Sequence, residues 1–231
     1  AIVERARTSC GGWADEVLER RDSAILLLGY AGAFRRSELV ALACGDISLH
    51  RLDGLPITLR KSKTDQEGRG ALRALPFTND HASCPPCAWM RWAQVAAAFD
   101  TGERPAVIRL LRNAEPFTGH VCPRRPAPHH LVGAVVAVHP EERQPVDHRV
   151  VGCGGAQGDP PPCRTRRLRP GTRGPVGGHS LRAGFVTQAF RNGASAHAIM
   201  RQTGHTTPAM LEVYAREHAP LMNNAVTNLG L

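Results

Sequence analysis

From His120 to Pro175 the chain shows no sustained period of 2 or 3.6, and Pro, Gly and Arg dominate it. A segment whose apolar residues favour no side cannot lay a strand face or a helix stripe against a core. The fold must therefore be assembled from the sequence on either side of it. The expectation for 120–175 is an irregular, exposed, protease-sensitive stretch. Two accounts fit. Read one nucleotide later, the codons for "HPEERQPVDH" (His139 to His148) permit a plausible loop, and those for "AQGDPPPC" (Ala156 to Cys163) permit a basic helix. The favoured account is thus a displaced reading frame, restored just before "GGHS", because the flanks are locally consistent and the middle is not. The rival is a disordered insertion.

The flanks read clearly. "WADEVLERRDSAILLLGYAGAFRRSELVAL", Trp13 to Leu42, has apolar residues at helical spacing, with a break near Gly29 and Gly32 and a second short helix from Ser37 to Ala43. Three runs, Ile47–Leu49, Ile57–Leu59 and Leu72–Phe77, predict a small antiparallel sheet with Lys61 to Gly70 as its exposed turn. Cys87 to Phe99 is an amphipathic helix. After Gly178 come three helices: "HSLRAGFVTQAFRNG" ending at Gly193, "SAHAIMRQTG" with Ser195 as N-cap and Gly204 as stop, and "TPAMLEVYARE". An amphipathic piece, "APLMNNAVTNLG", follows. The fold class is mainly α with a small antiparallel β-sheet, α+β, on a single domain spanning 1–231.

Composition bounds the partners. The net charge is +9 over 231 residues, which favours an anionic partner, most often nucleic acid. Twenty-seven of the cations are Arg and two are Lys, Lys61 and Lys63, which singles out the two lysines. No signal peptide opens the chain. The longest apolar run, Ala24 to Phe34, is too short to span a bilayer, which takes roughly 20 residues. The reading is a soluble, intracellular chain with no membrane partner. Seven cysteines at 10, 44, 84, 87, 122, 153 and 163 stay reduced in that compartment. "CPPC", Cys84 to Cys87, has metal-ligand spacing, but no second C-x-x-C or H-x-x-x-H completes a set of four, so it reads as a loop ahead of a helix and no metal site is assigned.

Four residues in the last third suit chemistry on a phosphodiester. His179 and Arg182 lie three apart at a helix start and share a face, where the helix N-terminus adds positive charge. His205 follows the stop Gly204, where a chain reversal presents it to that face. Tyr214 lies nine residues on. A phenol nucleophile must lose its proton, the pentacoordinate state must have its charge held, and the leaving hydroxyl must be protonated. Arg suits the charge because its fork binds two phosphate oxygens. Upstream, Arg35 and Arg36 precede a short helix, and Lys63 sits at a hairpin tip from which it can protonate a leaving 5′ oxygen. Taken singly, each of these residues reads as ordinary surface or core.

As an ordered set, "GAFRRSEL", "RKSKTD", "HSLR" and "GHTTPAMLEVY" resemble the tyrosine recombinase (phage integrase) family, in its C-terminal catalytic domain. The resemblance covers about Asp22 to Phe99 and Gly178 to Leu231. It implies a site-specific recombinase that breaks and rejoins DNA in integration and recombination, with neither metal nor nucleotide cofactor. Tyr214 would attack the scissile phosphate, form a 3′-phosphotyrosine and free a 5′ hydroxyl. Arg35 and Arg182 would clamp the non-bridging oxygens, His179 would assist proton transfer, His205 would hydrogen-bond the phosphate, and Lys63 would be the general acid. Glu38 would orient Arg35. Arg36, Lys61, Arg69 and Arg201 would be DNA contacts. The implied partner is double-stranded DNA, bound by a homo-tetramer in a bacterial or phage-infected cytoplasm, at the nucleoid.

Two departures stand out. With only about 20 residues ahead of the first matching helix, the expectation is that the family's N-terminal core-binding domain is absent, and helices expected between the Lys hairpin and H-x-x-R are replaced by 120–175. Weak activity or none is the expectation if the frame is displaced. The other readings are a type IB topoisomerase and an inactive remnant that keeps only DNA binding.

Overall fold

A computed structural model describes residues 2–50, 52–60, 70–122 and 178–218, with backbone alone for 178–180 and 215–218. Its described elements are α1 (Ile2–Thr8), α2 (Trp13–Ala31), α3 (Arg36–Ala41), β1 (Leu55–Leu59), β2 (Ala71–Leu75), α4 (Pro85–Arg112), α5 (Gly178–Arg191), α6 (Ala196–Thr203) and α7 (Ala209–His218), with 3₁₀ turns at Cys44–Asp46 and His81–Ser83. The α+β composition agrees with the sequence reading. The 120–175 stretch, apart from its first three residues, lies outside the described residues. So do Lys61 to Arg69 at the hairpin tip and the closing "APLMNNAVTNLG". No described helix is long and apolar enough to cross a membrane.

Among the described residues, the main core is drawn from positions up to Cys122. α2 lies along α4, and Leu28, Phe34, Leu55, Ile57, Leu75, Trp89, Met90, Val95 and Val107 are fully buried between helices and sheet. Each such side chain contributes about 1.5–3 kcal/mol by leaving water. A charged cluster crosses the same layer. Both nitrogens of the Arg91 fork donate to Glu19 on α2, at 3.1 and 2.8 Å. Arg7 of α1 and Ser23 donate to the same carboxylate at 3.1 and 2.7 Å, and Arg20 donates to Glu16 at 2.6 Å. Burial pushes the Glu19 carboxyl up, but the bonds and charge of Arg91, with Ser23 and Arg7, outweigh it and hold it below the ordinary range.

Two boundaries differ from expectation. Among the described residues the sheet has two strands, paired antiparallel from Leu55↔Leu75 to Leu59↔Ala71. Ile47 makes only an isolated bridge to Ile57, because the Cys44–Asp46 turn runs straight into it. The α4 helix continues past Phe99 to Arg112, through a sharp break at Gly102 and Glu103 (φ +53°). Pro105 marks a restart: it lacks an N–H and fits a first helical turn, so the sequence reads there as an end and not as a continuation.

The last three helices form a second, smaller cluster in which Val186, Ile199 and Leu211 are buried, with Phe185, Phe190 and Tyr214 packed against them. Ser195 caps α6 by accepting from the Ala198 N–H at 3.2 Å. Gly204 ends α6 at φ +69°, and a side chain there would meet the Arg73 guanidinium. α5 packs on both α2 and α7, which brings the chain's two described halves together.

Candidate active site

The site grows from three corners. The first is the bend between α2 and α3. Ala33 takes φ +50° there, a left-handed turn that costs about 1 kcal/mol or more for a residue with a Cβ. Its carbonyl accepts from Arg182 Nη1 at 2.8 Å, across 149 residues of sequence. Arg35 is the N-cap of α3. The Glu38 carboxylate accepts from the Arg35 backbone N–H at 2.8 Å and from its guanidinium at 2.6 Å, which fixes the direction of that side chain from a buried position.

The second corner is the α6–α7 turn. Arg182 is 3% exposed, and its Nη2 lies 3.1 Å from His205 Nε2. The other ring nitrogen, Nδ1, lies 2.8 Å from Thr203 Oγ1. Thr203 spends its own hydrogen on the Ile199 carbonyl at 2.8 Å, so its oxygen accepts from Nδ1–H. His205 therefore carries its proton on Nδ1 and offers Nε2 as an acceptor to the guanidinium. The Tyr214 ring is 6.4 Å from the imidazole, tilted by 41°.

The third corner was missed in the sequence. Arg73 is 5% exposed at an inward position of β2, where alternation calls for an apolar residue. Its Nη1 reaches the Arg201 carbonyl at 3.4 Å, and its guanidinium lies against Gly204. The available signal was a cation in phase with Ala71 and Leu75 in "ALRAL".

Three guanidiniums thus converge, and the electrostatics follow. Burial, then repulsion from Arg35, lowers Arg182 to about 10, so it stays charged at neutral pH. Burial also lowers Arg73. His205 is pushed down to about 4, by burial and then by Arg182, Arg35 and Arg73, so it is neutral. Glu38 is the acid whose charge opposes this repulsion at Arg73 and Arg182. An anion entering here would meet three cations, and its charge would oppose the repulsion that holds His205 low.

Of the sequence-derived residues, Arg35, Glu38, Arg182, His205 and Tyr214 are brought to one locality. His179 sits in the first turn of α5, three residues before Arg182; its side chain is beyond the described atoms. Lys61, Lys63 and Arg69 lie outside the described residues. Arg36 and Arg201 are exposed, on α3 and α6.

The "CPPC" motif has two neighbours that the sequence reading did not connect to it. Cys84 is the N-cap of α4, so it does lie ahead of a helix. The missing second pair exists as His120 and Cys122, and the four ligand atoms lie within 4.8 Å of one another. An H-x-C pair fits neither of the patterns sought in the sequence.

No protein-family model matches the chain. It is 30% identical over 212 residues, 90% of its length, to a protein from Selenomonas ruminantium named integrase/recombinase xerD homolog. A match of that coverage passes through the 120–175 stretch. The chain spans about half the length of that curated relative, 51% of it.

Proposed function

We propose that this chain is the catalytic domain of a tyrosine recombinase, which cuts and rejoins double-stranded DNA through a covalent phosphotyrosine. The observation that carries the reading is the buried Arg182 fork, held between the Ala33 carbonyl and a neutral His205, with Arg35 and Arg73 adding charge and a tyrosine beside it. The likeness to the xerD-type integrase/recombinase supports it.

The steps follow from the charges. A scissile phosphate enters the pocket, and Arg35 and Arg182 hold its two non-bridging oxygens. This site stabilises the extra negative charge of the pentacoordinate state with preorganised donors that need no reorganisation. The Tyr214 oxygen bonds to phosphorus as its proton passes to His179. The bond from phosphorus to the 5′ oxygen breaks, and Lys63 protonates that oxygen. His205, its basicity raised by the phosphate, donates from Nε2 to one oxygen. The product is a 3′-phosphotyrosine and a free 5′ hydroxyl. Reversal with the hydroxyl of a partner strand completes the transfer. Two such rounds through a Holliday junction require four copies on DNA. The phosphodiester energy is kept in the protein–DNA bond, so no nucleotide is consumed.

A suicide substrate, nicked so that the 5′ hydroxyl diffuses away, tests this. The chain should become trapped as a covalent DNA adduct. Tyr214→Phe should abolish trapping and change non-covalent affinity by less than about twofold, since phosphate contacts supply most of the binding. An adduct from the Phe variant would remove Tyr214 from the mechanism. Binding without any adduct from the native chain would leave a DNA-binding remnant as its function.

A further inference from the structure

Away from the arginine pocket, three thiols and one imidazole meet at the start of α4. We propose that Cys84, Cys87, His120 and Cys122 form a structural zinc site that fastens the segment leaving α4 to the helix's own N-terminus.

The spacings are those of a coordination shell. Zinc binds thiolate sulfur at about 2.3 Å in a tetrahedron, which places its sulfurs about 3.8 Å apart and an imidazole nitrogen slightly closer. Cys84 and Cys122 sulfurs are 3.9 Å apart, and those of Cys87 and Cys122 3.3 Å. His120 Nδ1 lies 3.4 Å from the Cys87 sulfur and 3.8 Å from that of Cys122. A disulfide would need about 2.05 Å, and any one disulfide would leave a third buried thiol and an imidazole facing it without a role. The three sulfurs are buried. Soft thiolates with one imidazole select zinc over magnesium or calcium.

The surroundings complete the case. The other nitrogen of His120, Nε2, lies 3.2 Å from the Asn79 carbonyl and donates to it. That bond fixes the tautomer so that Nδ1 points its lone pair at the sulfurs, as outer partners of ligating histidines do. Backbone amides of Thr78 face the Cys84 sulfur, and those of Val121 and Cys122 face Cys87. Four protein donors leave no open position, which makes the site structural and not hydrolytic. The exchange balances as one zinc ion bound for up to three thiol protons released, with no change of oxidation state.

Its consequence is mechanical. Cys84 and Cys87 bracket the first turn of α4, while His120 and Cys122 end the return from Arg112. Between them Phe117 is gripped by the Arg7 and Arg91 guanidiniums, 4.4 and 4.6 Å from its ring centre. Zinc would lock this return against the Glu19 cluster.

The test is the metal content of the full chain, purified in reducing buffer with no chelator. About one zinc per chain is expected, and EDTA should lower the melting temperature. Cobalt should restore it and give the intense ligand-field and thiolate charge-transfer bands of a tetrahedral sulfur-rich site. Cys87→Ser and Cys122→Ser should each lose most of the metal, while Cys10→Ser keeps it. His120→Cys, which preserves four donors, should also keep it. Where a serine variant fails to fold, the cobalt spectrum of the native chain decides. The proposal is overturned if the native chain carries no zinc and gives no cobalt bands, if Cys87 and Cys122 are found joined as a disulfide, or if both serine variants retain full metal.

Discussion

Two arginine clusters lie among the described residues, each built on buried guanidiniums, and they differ in their acids. Around α1, α2 and α4, Arg7, Arg20 and Arg91 face Glu16 and Glu19, with the Arg91 fork closed on one carboxylate. Around the α2–α3 bend and the α6–α7 turn, Arg35, Arg73 and Arg182 face Glu38 among the described residues. The first cluster comes close to answering its own charge, with Asp80 adding its attraction at Arg7, and holds helices together. The second keeps an excess, and Arg182 is left with a carbonyl and a neutral imidazole as its partners. Buried charge is costly unless paired. At the second cluster the proposed function supplies the further counter-charge, as a phosphate of bound DNA. Scaffold and site are distinguished by stoichiometry of charge, not by residue type.

That contrast can be broken by substitution. Glu19→Gln should have the largest effect, because it removes the carboxylate charge to which both Arg91 and Arg7 donate. Breaking such a buried pair costs about 3–5 kcal/mol, read as a melting point lowered by roughly 10 °C. Adduct formation by the chains that remain folded should hardly change. Arg182→Gln should do the reverse: adduct formation falls about 10²–10³-fold, the usual cost of one oxyanion donor, while the melting point moves far less, since repulsion from Arg35 and Arg73 is relieved. Equal losses of stability in the two variants would erase the distinction between the clusters.

Smaller effects sharpen it. Gly204→Ala should cost about 1–2 kcal/mol, from the left-handed backbone and the collision with Arg73, and should weaken phosphate binding by displacing His205. The pH response gives a further sign. His205 lies near 4 when folded against its ordinary 6.5, so the folded state binds fewer protons between those values. Stability should therefore rise with pH across that window and fall as pH drops from 6.5 towards 4. Phosphate or sulfate should blunt the fall, because a bound anion raises His205. A His205→Asn variant should lose this part of the pH dependence. Ser195→Ala, remote from both clusters, should cost only about 1 kcal/mol through loss of the α6 cap.

The helices were legible because their signals are local. Ser195 and Gly204 bracket α6 as caps do, and Gly193 ends α5 with a left-handed turn (φ +78°). Arg35, Arg182, His205 and Tyr214 were legible as an ordered set, though singly each looks ordinary. Arg73 was not. A cation on the inward side of a short strand is a poor strand residue until the Gly204 turn is known to lie against it. The thiol cluster was half legible: Cys84 and Cys87 are neighbours in sequence, whereas His120 and Cys122 join them only after α4 turns at Gly102. The second half of α4 was hidden for the same reason, as Gly102 and Pro105 read locally as an end.

The bond from Arg182 to the Ala33 carbonyl also sets a schedule. Among the described residues the main core draws on none later than Cys122, whereas the pocket cannot close until Arg182, His205 and Tyr214 have been made. At roughly 5–20 residues per second, translation reaches Tyr214 about 5–20 s after Cys122. During that interval the nascent chain holds a largely specified interior and an unfinished pocket. Tyr214, to which the proposed mechanism assigns the attack, is the last of these to be made, so a product terminated before it would lack the complete pocket.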